Sequence, residues 1–125
     1  MATIKKRPVY LNLLQIKLPI GGVVSILHRV TGFVMVLLIP YAIYLLQASL
    51  ESPTRFGQVR ATLSSGLGRA AMLLGLWILI QHLYTGLRHL FMDIDVGIEL
   101  PTARRTAWIT LAASIITVAI LGVLL

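Results

Sequence analysis

From Thr106 to Leu125 the chain runs for 20 residues without one charged side chain. At ~1.5 Å per residue such a run crosses a ~30 Å hydrocarbon core as a helix. Two more apolar segments, about 21–47 and about 67–93, are long enough to do the same. Lipid offers no partner to a peptide group, so each segment must satisfy its backbone internally, which at this length means a helix. The sequence thus predicts an all-α membrane protein with three transmembrane helices. Residues 1–20 read as a short cytoplasmic or interfacial N-terminal segment and 21–125 as the membrane domain. Pro40 is expected to kink the first span. Residues 48–66, rich in Ser, Pro and Gly, read as a polar loop, and 94–105 as a connector on the starting side.

A hydrophobic content of 58% with 12% charged residues fits no ordinary soluble domain. The absence of cysteine excludes a disulfide framework, a thiolate-ligated iron–sulfur cluster and a thiol nucleophile within this chain. A net charge of +7 could suggest nucleic acid, but the basic residues flank apolar runs instead of forming a soluble face, which is a topological signature. Lys5, Lys6, Arg7, Lys17, Arg29, Arg88, Arg104 and Arg105 fall on one side of the three spans, against Arg55, Arg60 and Arg69 on the other. This predicts a cytoplasmic N-terminus and an outer C-terminus. Lys5 to Arg7 resemble the start of a signal peptide, but Pro8, Asn12, Gln15 and Lys17 interrupt the residues beyond them, so the segment is expected to be retained at the membrane surface.

Polar residues inside a span cost about 2.5–3.5 kcal/mol each when charged, even on lenient scales, and so mark function. The second span carries His82, Arg88, His89 and Asp93. His82, Gly86 and His89 share a helical stripe, at i, i+4 and i+7. A histidine beside a glycine notch in an apolar bundle is what a buried haem iron requires, although a hydrogen-bonded core histidine explains His82 alone equally well. His82 and His89 lie roughly 10 Å apart along the axis at ~1.5 Å per residue, against about 4 Å between the axial ligands of one iron. One helix therefore cannot supply both ligands, and the second must come from another helix or chain.

At the start of the first span Ser25, His28 and Arg29 are spaced i, i+3 and i+4, which brings hydroxyl, imidazole and guanidinium to one face. A quinone reduced at the membrane edge needs a donor to a carbonyl and a positive field for the developing charge. Ser25 and Arg29 offer these, and His28 could relay protons or hold an anionic group. Taken singly, Ser25 could bond its own helix backbone and Arg29 could snorkel to head groups. Asp93 reads as structural or proton-handling.

Arg7-Pro8-Val9, Ser25-Ile26-Leu27-His28-Arg29-Val30-Thr31 and the run from His82 to Asp93 together resemble the cytochrome b membrane-anchor family of succinate dehydrogenase, respiratory complex II. The resemblance covers nearly the whole chain; Asp95 departs from it, where a small residue is usual. It implies a heterodimeric anchor bundle in the inner membrane, N-terminus cytoplasmic and C-terminus periplasmic. The implied partners are a second membrane anchor subunit, an iron–sulfur subunit and a flavoprotein, with FAD and iron–sulfur clusters confined to those partners. It further implies haem b shared between the anchors, with His82 as an axial ligand and a histidine of the partner anchor opposite, and His28, Arg29, Arg88 and His89 near the propionates or behind the ligand. Ser25 and Arg29 would bind ubiquinone. A quinol-oxidising fumarate reductase anchor shares this architecture. A haem-free structural anchor and a small transporter subunit with an intramembrane His-Arg-Asp relay are readings of a different class.

Overall fold

The structure, a computed structural model, describes residues 16–124. The expectations for residues 1–15, including the surface segment, lie outside the described residues. Regular structure within them is entirely helical: α1 spans Ile20–Glu51, α2 Pro53–Ser64, α3 Gly66–Asp93 and α4 Leu100–Leu124. Helices α1, α3 and α4 are long and apolar enough to cross a membrane. Pro40 sits inside α1, and the helix continues past it to Glu51.

The expected polar loop is instead a helix. Ser52 caps α2 by accepting from the Arg55 amide at 3.2 Å, and Pro53 occupies the first helical position, where its missing N–H costs nothing. Ser65 repeats the device for α3, accepting from the Gly68 amide at 3.1 Å. A side chain at Gly68 would run into the Thr62 carbonyl, so only glycine permits this tight corner. The turn-forming residues of the segment thus serve as helix starts.

The connector after α3 is also shorter than expected, because α4 begins at Leu100 with Pro101 in its first turn and takes in Arg104 and Arg105. Helix α3 stops in a Schellman arrangement: the Val96 amide donates to Phe91 O at 2.9 Å and the Asp95 amide to Met92 O at 3.0 Å. Asp95 holds the left-handed position, φ 62°, that glycine usually fills.

Helix α3 lies between α1 and α4 and shows each a different stripe. Ile78, Gln81, Thr85 and Arg88, spaced by three or four, are buried. Towards α4, the Ser114 hydroxyl donates to Gln81 Oε1 at 2.5 Å, Gln81 Nε2 donates to Thr85 Oγ1 at 2.9 Å, and Tyr84 and Thr117 share a hydrogen bond of 3.0 Å. Arg88 donates from Nε to Thr106 Oγ1 at 3.1 Å and from a terminal nitrogen to Ala103 O at 3.0 Å. Between helices in lipid, where apolar burial gives no drive, such hydrogen bonds and close packing hold the pair. The other stripe, His82, Gly86 and His89, faces α1.

Candidate functional site

The α1–α3 seam is built on two reciprocal notches. A Cβ at Gly32 would stand 2.8 Å from His82 Cε1, and one at Gly86 would stand 3.3 Å from His28 Nε2. Each helix thus seats its imidazole against the other's glycine. The two rings stack with centroids 4.0 Å apart and planes 13° from parallel, and His89 meets His28 edge-on at 5.2 Å. Spacing alone puts His82, Gly86 and His89 on one stripe; the structure adds that His28 from α1 is what enters the Gly86 notch.

The hydrogen bonding orients the His82 ring. Its Nδ1 lies 3.0 Å from the His28 carbonyl, which can only accept, so Nδ1 carries the proton. Thr31 Oγ1, buried and donating to Leu27 O at 2.8 Å, stands 3.2 Å from the same nitrogen and accepts from it. The other ring nitrogen, Nε2, makes no hydrogen bond to another described residue. A metal-binding histidine ordinarily has this arrangement, one nitrogen tied to a backbone carbonyl and the other presented. Among the described residues no group of three or more His, Asp or Glu could cage a bare ion. The donor set therefore fits a group that brings most of its own ligands, as haem does, and takes one imidazole from this chain.

Ser25 lies one turn before His28 and is partly exposed, and Arg29 is exposed. Among the serine and threonine hydroxyls of α1 and α3, Ser25 alone makes no hydrogen bond to another described residue; Thr31 and Ser49 bond carbonyls of their own helix, and Thr85 accepts from Gln81. The Ser25 hydroxyl is thus not taken up by its own helix. Arg29 has no acidic partner, since the one ion pair among the described residues joins Arg55 and Glu51. Asp93 ends α3 and is exposed.

Arg88, which the resemblance groups with His28 and His89, adjoins His89 in sequence and turns its guanidinium to α4. Only 7% of the residue is exposed. Conversely, Gly32 and Thr31 hold the His82 ring, and the sequence reading gives neither a role. The signal is present for Gly32, which follows His28 by four residues and answers to the notch argument applied to Gly86.

The fold and this seam define a multi-pass helical membrane protein with two imidazoles stacked between two of its spans. Comparison narrows the class. Residues 3–121 match the family described as Succinate dehydrogenase/Fumarate reductase transmembrane subunit. The chain is 34% identical to the succinate dehydrogenase cytochrome b556 subunit of Coxiella burnetii, over 94% of this chain and 95% of that one. It is 33% identical to the subunit of the same name in Paracoccus denitrificans, over 88% and 85% respectively. With the cytochrome b560 subunit of Reclinomonas americana it shares 31%, over 84% of this chain and 76% of that one. The chain belongs to this family of transmembrane subunits, as a membrane anchor of the cytochrome b type in succinate dehydrogenase.

Proposed function

We propose that this subunit contributes half of a haem b site and part of a ubiquinone site, through which electrons leave the iron–sulfur subunit for the quinone pool. The observation that carries the reading is His82, with Nδ1 held by the His28 carbonyl, its ring seated on Gly32, and Nε2 without a hydrogen bond to another described residue, which suits it to be the ligand atom. A histidine of the second anchor subunit would complete the axial pair. His28, Arg29 and His89 would hold or neutralise the propionates. Haem b, when bound, supplies a one-electron centre within the membrane.

Ubiquinone is the substrate: two electrons and two protons convert both carbonyls to hydroxyls. Ser25, whose hydroxyl has no partner among the described residues, donates to one carbonyl, and the guanidinium of Arg29, with no ion pair among them, lowers the energy of the charge that builds on the quinone oxygens. His28, between them on α1, and Asp93, at the end of α3, are the titratable groups placed to pass protons from the water side. Succinate chemistry belongs to the flavoprotein subunit. The basic-residue count sets the N-terminus and the α3–α4 connector in the cytoplasm, against the iron–sulfur subunit, and α2 on the periplasmic side of the inner membrane.

The test is a dithionite-reduced minus oxidised spectrum of membranes containing the complex. A b-type band that weakens or shifts in His82→Tyr is expected; an identical band removes His82 as a ligand. Ser25→Ala and Arg29→Leu are expected to keep succinate-to-dye activity while lowering quinone reduction at limiting quinone by about tenfold or more, the loss of one charge-stabilising donor, and Ser25→Ala is expected to keep the haem band as well. Unchanged quinone reduction in Ser25→Ala would refute the quinone assignment.

A further inference from the structure

At the end of the bundle away from the histidines, α1 and α3 diverge and α2 wedges between them. The gap is an apolar groove of about 510 Å³, lined by Met35, Leu38, Ala42, Met72, Gly75 and Leu79 among others. It runs on α3 from Gly68 to Leu79, ~16 Å at ~1.5 Å per residue, which is close to one leaflet of a ~30 Å core. Met35 and Leu79 at its inner end fall near the middle of α1 and α3, so the groove spans the outer half of the membrane only.

Beside its outer end lies a second cavity of about 460 Å³ that shares Leu45, Leu63 and Met72 with it but carries Arg60, Arg69 and Ser64 as well. The chain has four acidic side chains, and three of them, Asp93, Asp95 and Glu99, are at the opposite end. The fourth, Glu51, is held by Arg55 at 3.2 Å. No acidic side chain is therefore left for Arg60 or Arg69. Arg69 is also held in place, donating to Gly122 O at 2.9 Å, and its other nitrogens make no hydrogen bond to another described residue.

We propose that this groove binds one anionic phospholipid of the outer leaflet, an acyl chain lying between α1 and α3 and the phosphate held by Arg60 and Arg69. The polar end, the apolar end and the length between them match such a molecule, and guanidinium groups bind phosphate with paired, charge-assisted hydrogen bonds. A partner helix in the same gap would leave both arginines without a counter-charge unless it brought acids of its own.

Two variants separate the two ends of the site. Gly75 has open space where a Cβ would project, so Gly75→Leu fills the groove without meeting another atom at the first step. Arg60→Gln with Arg69→Gln removes the charge from exposed positions. The purified complex, stripped of lipid, is incubated with vesicles of phosphatidylglycerol or of phosphatidylcholine, and retained lipid is counted by native mass spectrometry. Wild type is expected to retain phosphatidylglycerol in preference. The double arginine variant should lose that preference by about fivefold per charge, Gly75→Leu should lose both lipids, and Arg104→Gln, at the other end, should change neither. An unaltered haem band certifies folding of each variant. Equal retention of the two lipids by wild type, or retention unchanged by the arginine substitutions, overturns the proposal. So does a photo-reactive side chain at Leu38 that crosslinks to the second anchor subunit instead of lipid.

Discussion

Replacing Gly32 by alanine adds one methyl group at the point where α1 meets His82. That carbon would stand 2.8 Å from His82 Cε1 and 3.4 Å from Nδ1. Carbon atoms rest at about 3.5–4.0 Å from one another, so ring or helix must retreat by about 1 Å. The ring cannot simply turn aside, since His28 stacks on one face of it and the His28 carbonyl holds Nδ1. Overpacking of this kind costs about 1–3 kcal/mol, which is roughly 5- to 150-fold in the population of the seated orientation. Gly86→Ala is the matched control: its Cβ meets His28 Nε2 at 3.3 Å, a contact relieved by a few tenths of an ångström, and should cost about 1 kcal/mol or less. Reduced-minus-oxidised spectra, normalised to succinate-to-dye activity, read the outcome. Gly32→Ala should weaken or shift the b-type band, and Gly86→Ala should do so less. A normal band in Gly32→Ala, or the reverse order, would show that the seating of His82 against α1 does not position the ligand.

Thr31→Val keeps the shape and removes the hydroxyl 3.2 Å from His82 Nδ1, leaving the His28 carbonyl as the acceptor. It is expected to move the haem midpoint potential by the equivalent of about 0.5–1.5 kcal/mol with the band amplitude kept, and an unmoved potential in a redox titration would count against the contact. Arg88→Leu removes two hydrogen bonds to the start of α4. It should lower the thermal midpoint of the solubilised complex while disturbing the haem band less than His82→Tyr does; the opposite ranking would restore Arg88 to the haem site. Asp95→Gly relieves the left-handed residue that ends α3 and should stabilise by about 0.5–1 kcal/mol, measured as a raised thermal midpoint.

The spans are legible because the length of an apolar run is set by the membrane itself: α3 runs from Gly66 to Asp93 where the sequence indicates about 67–93. Helix α2 is not, because Ser52, Pro53 and Ser65 belong equally to the vocabularies of turns and of helix starts. Only the partners of their side chains decide between the two. The α4 boundary differs for a related reason. Charged Arg104 and Arg105 suggest a connector, yet a helix that begins outside the hydrocarbon readily carries them in its first turns. At the site, motif membership groups Arg88 with the histidines, whereas six residues at ~100° each set it ~240° around the helix from His82, on the face that α4 covers.

Ser25 and Thr31 show where such reading ends. Both are hydroxyls on α1 within two turns of each other, yet Thr31 is buried and fully engaged while Ser25 has no partner among the described residues. Six residues at ~100° each set the two ~240° apart around α1, so periodicity gives them different faces but does not say which of those faces α3 covers. The same contrast divides α3 lengthwise. Its stripe through His82, Gly86 and His89 meets imidazole and glycine, while its stripe through Gln81, Thr85 and Arg88 meets hydroxyls and a carbonyl that stitch it to α4. If cofactor seating and bundle cohesion are separate in this way, substitutions on the first stripe should change spectra with little change in thermal midpoint, and those on the second should do the reverse. Gln81→Leu tests the division, since it breaks the bonds to Ser114 and Thr85 one residue from the ligand and should cost about 0.6–1.7 kcal/mol. A haem band altered as strongly as in Gly32→Ala would mean that the α4 contacts also set the angle at which α3 presents His82.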